Sequence, residues 1–331
     1  MKKDILVVGG GPAGLLLAHH FQEHGIDYGV LERGKIAQSW RTMRPGMVLL
    51  SPAVPGTDWT SLTLKHPLWT LPGVRKPFPT REDFLCYIEA FTREHALRIG
   101  ENVAVTKVSA DNGGFRVSST AGEIACRFLV LASGASTVPS YPDVPGAIGN
   151  PHVLHSCDFV HCMAYAGKRV LIIGGGNSAA EIAIELAGTA RVTICTRGPM
   201  RYFSETGELE HIRGSSESVL KELVRFGILR LREADPAVSI EHRKVRFLSG
   251  DEREYDWILC ATGYRPLLVP IEGKDLAADP DGYPVISAVG ESTVPGLYAC
   301  GSLARFNRRC AFIHGFRNYI EKIFWDIADR V

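Results

Sequence analysis

The chain has 331 residues, 45% of them hydrophobic and 22% charged, with a formal net charge of +1. That length accommodates two domains, and the near-neutral balance leaves no electrostatic footprint for nucleic acid or an acidic membrane surface. No apolar run approaches the roughly 18 residues of a membrane-spanning helix. Eight cysteines stand at 86, 126, 157, 162, 195, 260, 300 and 310, and none forms a C-x-x-C pair. This usage predicts a reduced, cytoplasmic protein with no disulfide framework and no metal site.

The first element is a short apolar run, Ile5-Leu6-Val7-Val8, of the kind that forms a buried strand. Lys2 and Lys3 ahead of it resemble the start of a secretion signal, but Asp4 and the glycines that follow interrupt that pattern. Gly9, Gly11 and Gly14 have the G-x-G-x-x-G spacing, with Pro12 between the second and third. A helical pattern then ends near Gly25, and a second strand, Tyr28 to Leu31, runs into Glu32 and Arg33. In such a unit the first glycine permits the turn and the second lets a pyrophosphate approach. The third packs the helix on the strand, and a carboxylate in the position of Glu32 accepts hydrogen bonds from ribose hydroxyls.

From Gly34 to Pro79 the periodicity disappears. These 46 residues hold seven of the 19 prolines and three of the five tryptophans, Trp40, Trp59 and Trp69. A long irregular stretch of this kind reads as a wall of a binding pocket. Thr80-Arg-Glu-Asp83 predicts a capping box ahead of a helix with Phe84, Ile88 and Phe91 on one face. Strands are predicted over 102–108, 115–119 and 124–131, the last leading into Ala132-Ser133-Gly134. A proline-rich connector, Val138 to Pro151, reads as a linker.

At Val170 the opening plan repeats. Val170 to Ile173 is followed by Gly174-Gly175-Gly176-Asn177-Ser178 and a helix to Ala187, and the strand Val192 to Thr196 ends at Arg197. Gly9 to Glu32 spans 23 residues, as does Gly174 to Arg197. An acid in that position suits a free ribose hydroxyl; an arginine suits a 2′-phosphate, and Arg201 offers a second cation. Asn177 and Ser178 are placed to meet the pyrophosphate through the loop. Downstream, Phe128 to Gly134 has a counterpart in Trp257 to Gly263. The fold is therefore α/β, with two Rossmann-like dinucleotide-binding domains in tandem, the first suited to FAD and the second to NADPH. After Tyr264 the chain carries Pro295 to Gly301-Ser302, a strand ending in glycine, and then a last helix. This segment is too short for a domain of its own.

Together these motifs resemble the two-dinucleotide-binding-domain flavoproteins over essentially the whole chain. The resemblance implies an FAD domain made of residues 1–138 and 265–331, with an NADPH domain, 139–264, inserted between them. It also implies that Gly134, Gly301 and Ser302 lie near the FAD chain, and that the connector Val138 to Pro151 and its counterpart near Tyr264 act as hinges. Ser39-Trp40-Arg41, His155-Ser156 and the run Gly176 to Glu181 look like small class B flavin monooxygenases, although Gly149 and His155 are six apart where four is usual there. Trp40 and Arg41 would then stand beside the flavin, His314 is a candidate catalytic residue facing its ring, and His155 is a domain-junction residue.

The pair Arg197 and Arg201 is similar to the phosphate pattern of thioredoxin reductases, whose redox C-x-x-C is absent and whose terminal Gly-Asp is Gly301-Ser302 here. The chain is also similar in length and end pattern to bacillithiol disulfide reductases, which carry a cysteine in the first glycine loop where this chain has Ala13. On that branch Cys300 or Cys310 would lie near the flavin. The function implied first is NADPH-dependent oxygenation of a small molecule through a flavin peroxide. A disulfide or other acceptor reductase, and a flavin-binding sensor with little turnover, are the alternatives. No nucleic-acid or membrane partner is implied, and a homodimer stays open as the assembly.

Overall fold

The computed structural model describes residues 2–44, 46–111 and 113–331. The chain divides into two compact units, one of residues 1–138 and 265–331 and the other of 139–264. Each has its own hydrophobic core.

In the first unit the opening strand Lys2–Val8 lies between Tyr28–Leu31 and Gly122–Leu131 and is parallel to both, with Ile5 beside Tyr28 on one side and Phe128 on the other. Ile5, Leu6 and Val7 are fully buried, as an uninterrupted apolar run requires when helices or loops cover both faces of a sheet. The sheet continues through Gly114–Ser119, Val105–Asp111 and Ile271–Glu272 on one side and Ile99–Gly100 on the other. Leu297–Ala299 also pairs in parallel with Gly122–Leu131, so the end of the chain returns to this sheet. The helix Pro12–Glu23 packs against the last helix, Ile313–Ala328, around Phe21 and Phe324, whose rings lie 5.6 Å apart.

The predicted capping box is present: the Asp83 amide donates to the Thr80 side chain, and Asp83 accepts from the Thr80 amide. The helix it starts, Arg81–Glu94, buries Phe84, Ile88 and Phe91. The strand predicted over 102–108 runs instead from Val105 to Asp111. Asn102 has a left-handed backbone (φ +58°) and its amide donates to the Gly34 carbonyl, so residues 101–103 turn along the edge of Tyr28–Leu31 before the next strand begins.

The second unit has a five-stranded parallel sheet in the order Val153–His155, Trp257–Cys260, Arg169–Ile173, Arg191–Cys195 and Leu229–Arg232. A three-stranded antiparallel sheet, residues 237–254, packs on it through Val245 and Phe247, joined by Tyr255 just past its end. Periodicity did not single out the helix Gly214–Arg225, which packs on Asn177–Leu186. Among the described residues no helix is long and apolar enough to cross a membrane.

Candidate functional site

The two glycine loops have the same geometry. Gly9 and Gly174 take φ of +118° and +135°, and a Cβ at either would lie 2.4 Å from the Ala132 carbonyl oxygen or 2.3 Å from that of Ala261. Only glycine fits a left-handed turn that passes so close to a neighbouring strand end. A Cβ on Gly14 would meet the Gly9 carbonyl at 2.1 Å, which is the close helix–strand contact expected of the third glycine; Ala179, fully buried, takes that place in the second loop. Gly11 and Gly176 have nothing within 4 Å of an added Cβ, so both loops leave open space at their second glycine. Each following helix starts without a side-chain cap and without an acid in its first turn. Free amides and the positive end of the helix dipole therefore face that space, an arrangement suited to a pyrophosphate.

The residues at the ends of the second strands differ as their chemistry demands. Glu32 is buried, and its carboxylate accepts from the Gly10 amide at 2.8 Å and the Gly34 amide at 3.0 Å. An ionised carboxylate can accept about four hydrogen bonds, so capacity remains for ribose hydroxyls. Arg197 and Arg201 are exposed, and neither guanidinium bonds or pairs with any described residue. Arg33 is exposed as well. A carboxylate acceptor thus stands beside the first loop and unpaired guanidinium donors beside the second, groups suited to hydroxyls and to an anion respectively.

Around the first loop the fold gathers residues from three parts of the chain. A Cβ on Gly301 would touch the Ala13 methyl at 2.4 Å, and Ser302 Oγ accepts from the Ala135 amide at 3.1 Å, next to Gly134. Cys300 is wholly buried, with Sγ 3.8 Å from the Ala13 carbonyl, and burial pushes its thiol up to about 12. Cys310 is buried too, and its thiol is likewise pushed up. His314 is the second residue of the last helix and packs its ring 5.2 Å from Trp59.

Other predicted residues make contacts within the protein. Trp40 packs on Phe84, with ring centres 4.4 Å apart, and Arg41 is held by Glu89 and by the Ile36 carbonyl. Both side chains brace the turn Gln38–Arg41 against the helix Arg81–Glu94. Asn177 uses its side chain within the protein, accepting from the Arg213 amide at 3.0 Å and donating to the His211 carbonyl at 3.1 Å. Only its backbone, with that of Ser178, is left for a ligand. His155 is fully buried: Nε2 donates to the Gly263 carbonyl at 3.0 Å, Nδ1 accepts from the Cys157 amide, and burial lowers its pKa and keeps it neutral. It anchors a strand end.

Two features had no signal in the sequence. His19, His66 and His95 meet in one cluster, and Arg213 Nη1 is buried without a hydrogen-bond partner. Their neighbours come from distant positions, which no spacing rule reaches.

Two strand–glycine loop–helix units of this kind define the class, a two-dinucleotide-binding α/β flavoprotein. Residues 6–301 match the family described as pyridine nucleotide-disulphide oxidoreductase, and the chain belongs to that family. Indole-3-pyruvate monooxygenase YUCCA4 of Oryza sativa subsp. japonica is 27% identical, with 98% of this chain and 87% of that protein covered. Among solved structures, the bacillithiol disulfide reductase Bdr (YpdA) from Staphylococcus aureus superposes with a TM-score of 0.84 at 23% identity, covering 100% of this chain and 99% of that one. A flavin-containing monooxygenase from Stenotrophomonas maltophilia gives the same TM-score and identity, with 99% of both chains covered. At that identity the two structures establish the fold alone. The chain is an oxidoreductase of the flavoprotein type.

Proposed function

We propose that this protein is an FAD-containing, NADPH-dependent oxidoreductase and that it oxygenates a small molecule. The observation that carries the cofactor reading is the contrast at matched positions: buried Glu32 beside the first glycine loop, exposed and unpaired Arg197 beside the second. Glu32 would hold the FAD ribose, and the amides of the helix beginning at Pro12 would receive its pyrophosphate. Arg197 and Arg201 would take the 2′-phosphate that distinguishes NADPH from NADH. Bound FAD supplies two-electron transfer from the nicotinamide to an acceptor.

The choice of oxygen over a disulfide as acceptor is supported by the surroundings of the first loop. Where bacillithiol disulfide reductases carry a cysteine, Ala13 presses its methyl against Gly301, and the nearest thiol, Cys300, is sealed and protonated. A buried thiol with a raised pKa is a poor nucleophile for disulfide exchange. The similarity to a plant monooxygenase over nearly the whole chain points the same way. We place the protein among small-molecule enzymes of the cytoplasm.

The test is anaerobic reduction of the flavin-loaded protein by NADPH, followed by oxygen or a low-molecular-weight disulfide, with the flavin absorbance as readout. Slow reoxidation by oxygen together with no reoxidation by the disulfide supports the oxygenase. Immediate reoxidation by the disulfide establishes the reductase instead. A flavin that NADPH does not reduce leaves the sensor.

A further inference from the structure

Arg213 precedes the helix Gly214–Arg225 in the second unit and is 6% exposed. Its guanidinium lies 4.6 Å over the ring of Phe203, and Nη1 is buried with no hydrogen-bond partner. Among the described residues no carboxylate pairs with it. Glu217, one turn along, accepts from Lys221 at 2.7 Å and Ser204 at 2.6 Å through Oε1, and its Oε2 is buried without a hydrogen bond and makes no ion pair with Arg213. A buried guanidinium nitrogen with neither counter-charge nor hydrogen bond is costly to hold, and a bound anion would complete it.

The backbone of Arg213 lies at the second glycine loop. Its own amide donates to Asn177 Oδ1 at 3.0 Å, and Asn177 Nδ2 donates to the carbonyls of His211 and Glu210. Asn177 is the first residue of the helix that follows the open face of Gly176, the helix start that lacks a side-chain cap. Segment 210–213 is thereby pinned to the end of the second glycine loop. Arg197 is exposed beyond a strand end, and Arg201, whose side chain is also exposed, accepts from the Ile212 amide through its carbonyl at 3.0 Å.

We propose that Arg213 is the pyrophosphate-binding cation of the second dinucleotide site, pairing with the phosphates that the amides of Asn177 and Ser178 receive. The assignment rests on the nucleotide reading given above. It divides the arginines by role. Arg197 reads the 2′-phosphate, present only in NADP, whereas Arg213 serves the pyrophosphate common to NADP and NAD.

Binding of NADP+, NAD+ and 2′-AMP to the flavin-loaded protein, measured by calorimetry, tests this in wild type, R213M and R213K. R213M is expected to weaken NADP+ and NAD+ by the same factor, on the order of 10- to 100-fold for loss of a charge-assisted hydrogen bond to phosphate. It should leave 2′-AMP, which lacks a pyrophosphate, unchanged, and R213K should recover part of the loss. Without nucleotide, R213M should melt no lower than wild type, because the substitution removes an unpaired buried charge; the rise in melting temperature on adding NADP+ should shrink. Unchanged affinities for both dinucleotides overturn the proposal. So does a loss confined to NADP+ and 2′-AMP, which would make Arg213 a second 2′-phosphate reader, or a lower melting temperature without ligand, which would make it a structural prop. A wild-type protein that binds neither dinucleotide overturns the nucleotide reading itself and this assignment with it, a result distinct from failure of the variant alone.

Discussion

Gly9 and Gly11 lie two residues apart, and the structure separates their roles. A side chain at Gly9 meets the Ala132 carbonyl in a left-handed turn, whereas one at Gly11, in extended backbone with φ of −82°, meets nothing. G9V is therefore expected to lose the fold of the first unit. G11V should fold with a circular dichroism spectrum like that of wild type and purify with little flavin, because its side chain fills the space left for the pyrophosphate. Flavin absorbance per mole of protein, with the melting curve, checks both. At the matching position of the second unit, R197A should raise the Michaelis constant for NADPH by about 10- to 100-fold, the range for one charge-assisted contact, and leave that for NADH unchanged. Equal effects on the two nucleotides would refute the 2′-phosphate contact.

At the scale of elements, the irregular stretch 34–79 is ordered by what it touches. Arg317, on the last helix, donates to the carbonyls of Ser61 and Asp58 at 2.8 and 3.0 Å. Tyr87 accepts from the Leu62 amide and donates to the His66 carbonyl. Asp58 accepts from the amides of Thr60 and Ser61, closing a tight turn. Beyond these bonds, His66 joins His19 and His95, with the His95 ring 4.1 Å from that of His19 and 4.4 Å from that of His66.

The cluster's only carboxylate in ion-pair contact among the described residues is Glu23, 3.4 Å from His19; Glu94 and His20 act from further off, and Lys65 acts on His20. Burial and the neighbouring imidazoles lower His19 to about 4. Above pH 6.5 the group is neutral whether the chain is folded or unfolded, so it adds no pH dependence. Between 6.5 and about 4 the unfolded chain takes up a proton that the folded one resists, so stability falls as pH falls. The loss is at most about 1.4 kcal/mol per pH unit for one such proton. Melting temperatures from pH 7.5 to 5 should drop for wild type and less steeply for H19Q. An unchanged slope would remove His19 from the account. Nearby, T80A should cost about 1 kcal/mol by removing the cap of the helix Arg81–Glu94, measurable as a shifted denaturant midpoint.

For the whole molecule, the division into two cores has a direct consequence. The second unit buries Val170, Ile172, Ala183 and Ile194 around one side of its parallel sheet and Leu171, Cys195, Val245 and Phe247 around the other, all from residues 139–264. A segment with its own two-sided core and a complete five-stranded sheet should fold alone. Expressed by itself, 139–264 is expected to melt in a single cooperative transition that NADP+ shifts upward. A non-cooperative melt would show that it depends on the remainder of the chain.

Much of this was legible in the residues because the chemistry is local. A strand, a glycine turn, a helix and the residue closing the next strand all fall within about 30 consecutive positions, and the repeat at 23 residues sets Glu32 against Arg197. Strand limits near Asn102 were less legible, since a left-handed turn bonded to Gly34 delays the strand. Trp40 and Arg41 look like cofactor neighbours in sequence, and the contacts of Trp40 with Phe84 and of Arg41 with Glu89 come from the helix Arg81–Glu94, some 45 positions away. By itself the sequence determined the class of fold, the two glycine loops and the opposite charges beside them, because short-range backbone geometry dictates those residue types. Only the tertiary structure decided that Cys300 is sealed, that Arg317 ties down Ser61 from 256 positions away, and that Arg213 is buried beside the second loop without a counter-charge. Those properties depend on which side chains exclude water from which, and packing between distant segments sets that.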